Sequence, residues 1–391
     1  MHKEEKPPFL VFGAPDIGAA EIAEVVDSLE SGWLGTGPKV ARFERDFAAF
    51  KGVLPGRVAA THSCTAALHL SLLAAGIGPG DEVITTALTF CATVNAIIHA
   101  GATPVLADVD PVTMNLDIQD VDSRLSERTR ALLPVHLAGR PCDMDGLMDM
   151  ASRRHLRVIE DCAHAVEAEY HGRKLGTLGD FGCFSFYVTK NVVTGEGGMV
   201  LGRNEEEVAR VRVLALHGMS KDAWHRFGDK GYKHYYVAEA GFKYNMMDIQ
   251  AALGIHQLAR VEANWYRRRE IWDAYLEGLA ELPIGLPAPP EAGTRHAHHL
   301  FTILIDQNRC GLSRDQFLDA MNNLRVGTGV HYLSIAEHPY YRERYGWRTE
   351  QWPHAARIGQ QTVSLPLSPK LTDPDVKRVI TAVRSCIRIP R

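Results

Sequence analysis

The chain has 391 residues, 46% of them hydrophobic and 23% charged, a balance that suits a large-cored protein of two domains and excludes a small scaffold held together by staples. Its formal net charge of -4, with acids and bases intermingled, leaves no basic stripe for a polyanion, so no nucleic-acid partner is expected and small molecules are. The seven cysteines (Cys64, Cys91, Cys142, Cys162, Cys183, Cys310 and Cys386) are scattered and never form a C-x-x-C pair, which indicates neither a disulfide framework nor a zinc site and fits reduced thiols.

The opening, "MHKEEKPPFLVFGAPDIG", holds an apolar run of only four residues, Phe9 to Phe12, too short for a secretory core. No stretch reaches the length of an uncharged membrane span, so no membrane partner and a cytoplasmic location are expected. The glycines of "GWLGTGPKV" (Gly32 to Val40) follow a helix-like stretch, not a strand, and form no dinucleotide fingerprint, which disfavours a nicotinamide dehydrogenase. From about Val58 to Gly202, short β-rich runs alternate with amphipathic stretches: "VAATHS" then "TAALHLSLLAAG", "EVITTA" then "TFCATVNAIIHAG", followed by "TPVLADVD", "RALLPVHL" and "LRVIED". The alternation predicts an α/β domain of βα units around a mostly parallel sheet. "GIGPGDE" (Gly76 to Glu82) and "HAGATP" (His99 to Pro104) punctuate it as helix stops and turns.

Apolar residues at helical spacing from Met246 to Leu282 predict one or two long helices. After "PIGLPAPPEAGT" the rhythm restarts, which places a large domain at 1–282 and a smaller one at 283–391. "RRR" (Arg267 to Arg269) reads as a solvated helix face. His296, His298 and His299 of "RHAHHL" read as strand residues, the adjacent pair pointing to opposite faces, and no metal is assigned.

Ligands of open α/β sheets collect at the carboxyl ends of the strands, and chemistry-bearing side chains fall at such ends. Ser63, Cys64, Thr65 and Ala66 sit where a strand gives way to a helix, whose free N–H groups and dipole suit a phosphate; Ser63 or Thr65 is equally a plain helix cap. Phe90 follows the next strand and can offer a flat ring face, or can be core. Asp161 ends "LRVIED", either to pair with a protonated ring nitrogen or to cap a helix over "CAHAVEA"; His164 stands three residues on. Lys190, in "SFYVTKNVVTGEGG", would alone be a solvated charge. Together, a phosphate nest, a flat aromatic, a carboxylate and a lysine describe a pyridoxal phosphate site. In it Lys190 binds the aldehyde as a Schiff base, Asp161 keeps the ring cationic, and Ser185 adds a hydroxyl to the phosphate.

Residues 160–200, 62–110, 134–145 and 241–254, with "SGWLGTGPKV" and "VSLPLSPKLTDPDVKRVI" towards the two ends, resemble the DegT/DnrJ/EryC1/StrS family of sugar aminotransferases. The resemblance implies an aspartate aminotransferase-like fold type I, with a mixed, mostly parallel sheet and a small C-terminal α+β domain. It also implies a homodimer with its active sites at the subunit interface. It casts Lys190 as the Schiff-base lysine, Asp161 as the pyridinium partner and Phe90 as the stacking aromatic. His164 takes the family's Gln/His position against the cofactor, and Thr65, Ala66 and Ser185 match phosphate contacts. Asn245, by itself an N-cap candidate, matches an asparagine that reaches the phosphate of the neighbouring subunit. The expected reaction takes an amino group from glutamate to a nucleotide-diphosphate keto sugar, at a 4-keto position, with ping-pong kinetics and Lys190 as anchor and general base. Rival expectations are a sugar dehydratase and a non-catalytic relative that binds the cofactor or the sugar. Lys190 itself speaks against the histidine-bearing dehydratase branch. "LHGMSKDAWHRF" (Leu216 to Phe227) and "GTGVHY" (Gly327 to Tyr332) look closest to the branch acting on UDP-4-keto-pentose.

Overall fold

The structure, a computed structural model, describes residues 7–219 and 235–387. Seven strands form its central sheet: β1 (Val58–Thr61), β2 (Glu82–Thr86), β3 (Thr103–Ala107), β4 (Thr129–Leu133), β5 (Arg157–Asp161), β6 (Phe181–Ser185) and β7 (Gly198–Gly202). Their spatial order is β1-β7-β6-β5-β4-β2-β3. Strands β2 to β6 run parallel, and β7 is antiparallel to both β6 and β1. The fold is therefore α/β with a mixed, mostly parallel sheet, as the alternation of runs predicts.

Side chains along a strand alternate between faces, and both faces of this sheet are covered. Val58, Ile84, Leu132, Val158 and Phe184 enter one core with Phe43 and Phe47 of the helix Pro38–Lys51. Ala59, Val83, Leu133, Ile159 and Cys183 enter the other with Leu68 and Leu72 of the helix Cys64–Ala74. By the same parity Asp161 lies on the face of Ile159 and Ser185 on that of Cys183, and Asp161 and Cys183 are paired across β5 and β6. Glu160 takes the opposite face. Its buried carboxylate accepts the amides of Gly176, Leu178 and Gly179 at 2.8, 2.9 and 2.7 Å and meets His136 Nε2 at 3.2 Å.

The long apolar stretch after Met246 folds as two helices, Asp248–Ala259 and Val261–Leu279, joined at Arg260. The second gives Ile271, Trp272 and Tyr275 to a further core shared with the antiparallel pair β8 (Phe301–Leu304) and β9 (Thr362–Leu365). Ile335, Ala336, Tyr341 and Trp352 pack instead on Ala87, Leu88 and Val94 of the sheet layer, which brings the neighbouring residues His331 and Tyr332 to the carboxyl ends of the central strands. Among the described residues no helix is long and apolar enough to cross a membrane.

Three local expectations are corrected. Arg267 to Arg269 do not share a solvated face: Arg267 pairs with Asp373 at 2.7 Å, but Arg268 is buried and donates to the Leu367 carbonyl at 2.8 Å. Successive helical residues turn by roughly 100°, so three in a row cannot share one side. No helix follows Asp161, because residues 162–168 run as turns. His296, His298 and His299 lie in a buried loop before β8, with His298 at φ 50, so the period-2 argument does not apply to them. The rings of His296 and His298 sit 5.0 Å apart, both against Trp272, while His299 departs towards His164.

Candidate active site

A cavity of about 510 Å³ opens at the carboxyl ends of β1, β2, β5 and β6. Thr65, Phe90, Asp161, His164, Ser185 and Lys190 all line it, joined by Ser63, Cys64, Thr93, His331 and Tyr332. Ala66 and Asn245 do not line it. The Ala66 amide is taken by Ser63 Oγ at 3.2 Å, and Asn245 donates to Thr36 Oγ1 at 2.6 Å, two residues before the N-cap Met247.

The anion end of the cavity follows from the β1–helix junction. Ser63 is the N-cap of the helix Cys64–Ala74, and the amides of Cys64 and Thr65 in its first turn have no intrahelical acceptor. Those N–H groups and the helix dipole attract negative charge. The junction is close-packed from behind: a Cβ on Gly198 of β7 would lie 2.4 Å from the Ser63 carbonyl carbon, so only glycine lets β7 pass there. Phe90 is 55% exposed and stands 5.7 Å, ring to ring, from Tyr332.

Asp161 is buried at the far end of β5. Its Oδ2 accepts the Thr93 hydroxyl at 2.9 Å and its Oδ1 the Ala163 amide at 3.1 Å. Burial nevertheless pushes its pKa up, against those two donors and the nearby Lys190. Lys190 is partly buried in the turn after β6, with its amide donated to the Tyr187 carbonyl at 2.8 Å. Burial brings its amine down to about 8, although Cys64 and Asp161 pull the other way. The lysine therefore holds a neutral, nucleophilic form far closer to pH 7 than an exposed lysine does.

His164 accepts the Ala138 amide on Nδ1 at 3.2 Å, so its proton sits on Nε2, which meets the Tyr332 hydroxyl at 3.1 Å. Burial, with Lys190 and His331 nearby, holds it well below the ordinary imidazole range, and it is neutral. His331 is likewise brought down to about 4 by burial and Lys190, and its Nδ1 lies 2.9 Å from Ser364 Oγ. Burial raises the Tyr332 phenol, which stays protonated.

Thr93, His331 and Tyr332 are site residues that no local signal placed at the cavity, although the last two close the stretch "GTGVHY" that resembles one substrate branch of the family. Thr93 sits in the first turn of an ordinary amphipathic helix, Cys91–His99. The other two come from a loop 141 and 142 residues beyond Lys190, where no period or turn signal points to the sheet. Residues 220–234, which hold most of "LHGMSKDAWHRF", lie outside the described residues. One amine poised to lose its proton, one buried acid fixed by two donors, and an anion cradle thus share one cavity. That combination can bind an aldehyde-bearing anionic ring and move a proton beside it.

The model of the DegT/DnrJ/EryC1/StrS aminotransferase family matches residues 15–384. The spore coat polysaccharide biosynthesis protein SpsC of Bacillus subtilis (strain 168) is 46% identical over 382 residues, 97% of each chain. Among solved structures, the PLP form of Spr1654 from Streptococcus pneumoniae superposes with a TM-score of 0.88 at 31% identity, covering 97% of this chain and 100% of that one. S. venezuelae DesV does so with a TM-score of 0.88 at 34% identity, covering 98% and 100%.

Proposed function

The chain belongs to the DegT/DnrJ/EryC1/StrS aminotransferase family, and on that basis we propose that it moves an amino group from glutamate to the 4-keto position of a nucleotide-diphosphate sugar. It is a sugar aminotransferase whose cofactor is pyridoxal 5'-phosphate. The observation that carries the transamination chemistry is the convergence of Lys190 and Asp161 on one cavity with a helix N-terminus, and the glutamate donor and the 4-keto nucleotide sugar are proposed from the family alone.

The donor set fits the cofactor. Ser63, Thr65 and Ser185 with the first-turn amides of Cys64 and Thr65 would hold its phosphate, the Ala66 amide staying with Ser63 Oγ; Phe90 would cover its ring, Asp161 would face the ring nitrogen, and Lys190 would take its aldehyde. His164, neutral and fixed by Ala138, would orient the ring from the side of Tyr332. When bound, the cofactor supplies an electron sink for the carbon that loses a proton. Lys190 Nζ takes that proton from the α-carbon of glutamate and, in the second half of a ping-pong cycle, gives a proton to the carbon that was the sugar ketone. Asp161 stabilises a cation opposite it and keeps its own charge by that pairing. Asn245, turned from its own cavity towards Thr36, would serve the phosphate of a neighbouring subunit in a homodimer. The division into a large domain (1–282) and a small one (283–391), a cytoplasmic location, and the absence of nucleic-acid and membrane partners belong to the same proposal.

The test is purified protein with the cofactor and glutamate against a panel of nucleotide keto sugars, read by mass. Amino sugar from a 4-keto substrate, with one 2-oxoglutarate formed per amine, is expected. Amination of 3-keto sugars alone, release of the amine as ammonia, or an unchanged panel overturns the proposal.

A further inference from the structure

Behind Lys190 a second set of polar side chains is buried, and nothing above uses it. Asn191, the next residue, is 5% exposed; its Nδ2 donates to both oxygens of Glu167 at 3.0 Å and to the Ala297 carbonyl at 3.0 Å. With that nitrogen committed to acceptors, Asn191 Oδ1 is the atom facing His299 Nδ1 at 2.9 Å, so His299 carries its proton on Nδ1. The His299 ring then lies against the His164 ring, with centroids 4.4 Å apart. Three segments far apart in sequence, the turn of Glu167, the loop of Lys190 and the histidine loop before β8, are joined through one amide side chain.

We infer that the buried chain Glu167–Asn191–His299 is a positioning device for Lys190. The ends of the loop that carries the lysine are tied, by the Thr194 amide to the Phe186 carbonyl and by the Tyr187–Gly195 bridge, but at its tip the Lys190 amide bonds only to Tyr187 inside the same turn, and Tyr187 is 45% exposed. Asn191 is the side chain that clamps the lysine's neighbour to the layer beneath it. Its fourfold bonding admits one orientation, because an amide turned end for end would set N–H against N–H at His299 and oxygen against oxygen at Glu167 and Ala297. A functional side chain is held to productive geometry by supporting hydrogen bonds of this kind. The groups that face the lysine amine are Asp161, Cys64, His164, His299 and His331. Those that face His299 are His164, Lys190, Arg268 and His331.

The inference rests on Lys190 being the amine that takes the cofactor. It is tested on cofactor-loaded protein by the pH titration of the absorbance band of the lysine-linked cofactor, beside kcat, KM and thermal midpoint. In His299→Leu the loop loosens and water reaches the nitrogen, so the band's apparent pKa rises by about half a unit or more. In the same variant kcat falls about tenfold or more with KM changed less. His299→Asn keeps a donor where Nδ1–H stood and restores most of both. If His299→Leu does not fold, the near-isosteric Glu167→Gln, which takes one of its two carboxylate acceptors from Asn191 Nδ2 and sets an N–H group against it, replaces it with the same expected shift. A lowered midpoint with unmoved band pKa and kcat, or equal behaviour of His299→Leu and His299→Asn, overturns the inference. A parent protein that shows no lysine-linked band overturns the reading of Lys190 itself, which separates the two failures.

Discussion

Thr93 Oγ1 donates to Asp161 Oδ2 at 2.9 Å and so ties the first turn of the helix Cys91–His99 to the end of β5. The bond favours the charged carboxylate, so Thr93→Val, which keeps the shape and removes the donor, pushes Asp161 still higher. A hydrogen bond to a charged group contributes about 1.5–3 kcal/mol. The acid limb of the kcat/KM profile should therefore move up by about one unit, and Thr93→Ser should return it.

Asp161→Asn separates stability from function. Because burial raises the pKa of this carboxyl, the folded cofactor-free protein holds the proton more tightly than the unfolded chain. The favourable contribution is complete below the unfolded value of about 4 and is lost as pH rises through the folded value. At pH 7 the cofactor-free Asn variant should thus be at least as stable as the parent in denaturant titrations, with the difference closing at acid pH. Activity should fall about 100-fold or more, because a neutral amide does not hold a ring cation.

Lys190→Met makes the converse case for a base. The amine sits at about 8 in the folded protein and near 10.4 unfolded, so charging it in place costs stability at neutral pH, and the cost disappears as pH rises from about 8 to 10.4. In urea melts without cofactor the Met variant should be more stable by on the order of 1–2 kcal/mol at pH 7 and indistinguishable above about pH 10.4. Transamination should drop by at least the 10²–10⁴-fold typical of a lost general base.

Gly198→Ala probes the floor of the anion cradle. Its added methyl would sit 2.4 Å from Ser63 backbone, which cannot swing aside as a side chain can. A loss of about 1–3 kcal/mol is expected in thermal melts, together with weaker cofactor retention on dialysis.

Much of this site was legible in the sequence because β/α proteins display their chemistry at strand ends, and Phe90, Asp161, Ser185 and Lys190 all follow short β-rich runs. Their convergence needed only the order of the runs. His299, His331 and Tyr332 were not legible, since they arrive by tertiary packing of loops whose sequence carries neither period 2 nor period 3.6. Arg268 misled for a related reason: three arginines in a row look alike as letters, and only the tertiary fold, which sets the Leu367 carbonyl before Arg268, decides which is inside. Asp161 as a helix cap failed because the turns after β5 are held by bonds from Ala165 to Cys162 and from Ala168 to Ala165, which never lengthen into a helix.

The opposite orientation of Glu160 and Asp161 makes the strand that carries them intolerant of any change in length. One residue inserted upstream within Arg157–Asp161 would bring Glu160 to the place of Asp161, and one deleted would bring Asp161 to the place of Glu160. After the insertion the Thr93 hydroxyl would meet a longer acid set for another pocket, and after the deletion the three amides and the imidazole that now surround Glu160 would close on a shorter side chain. Indels tolerated at the loop tips of this chain should be absent from this strand in any library selected for activity.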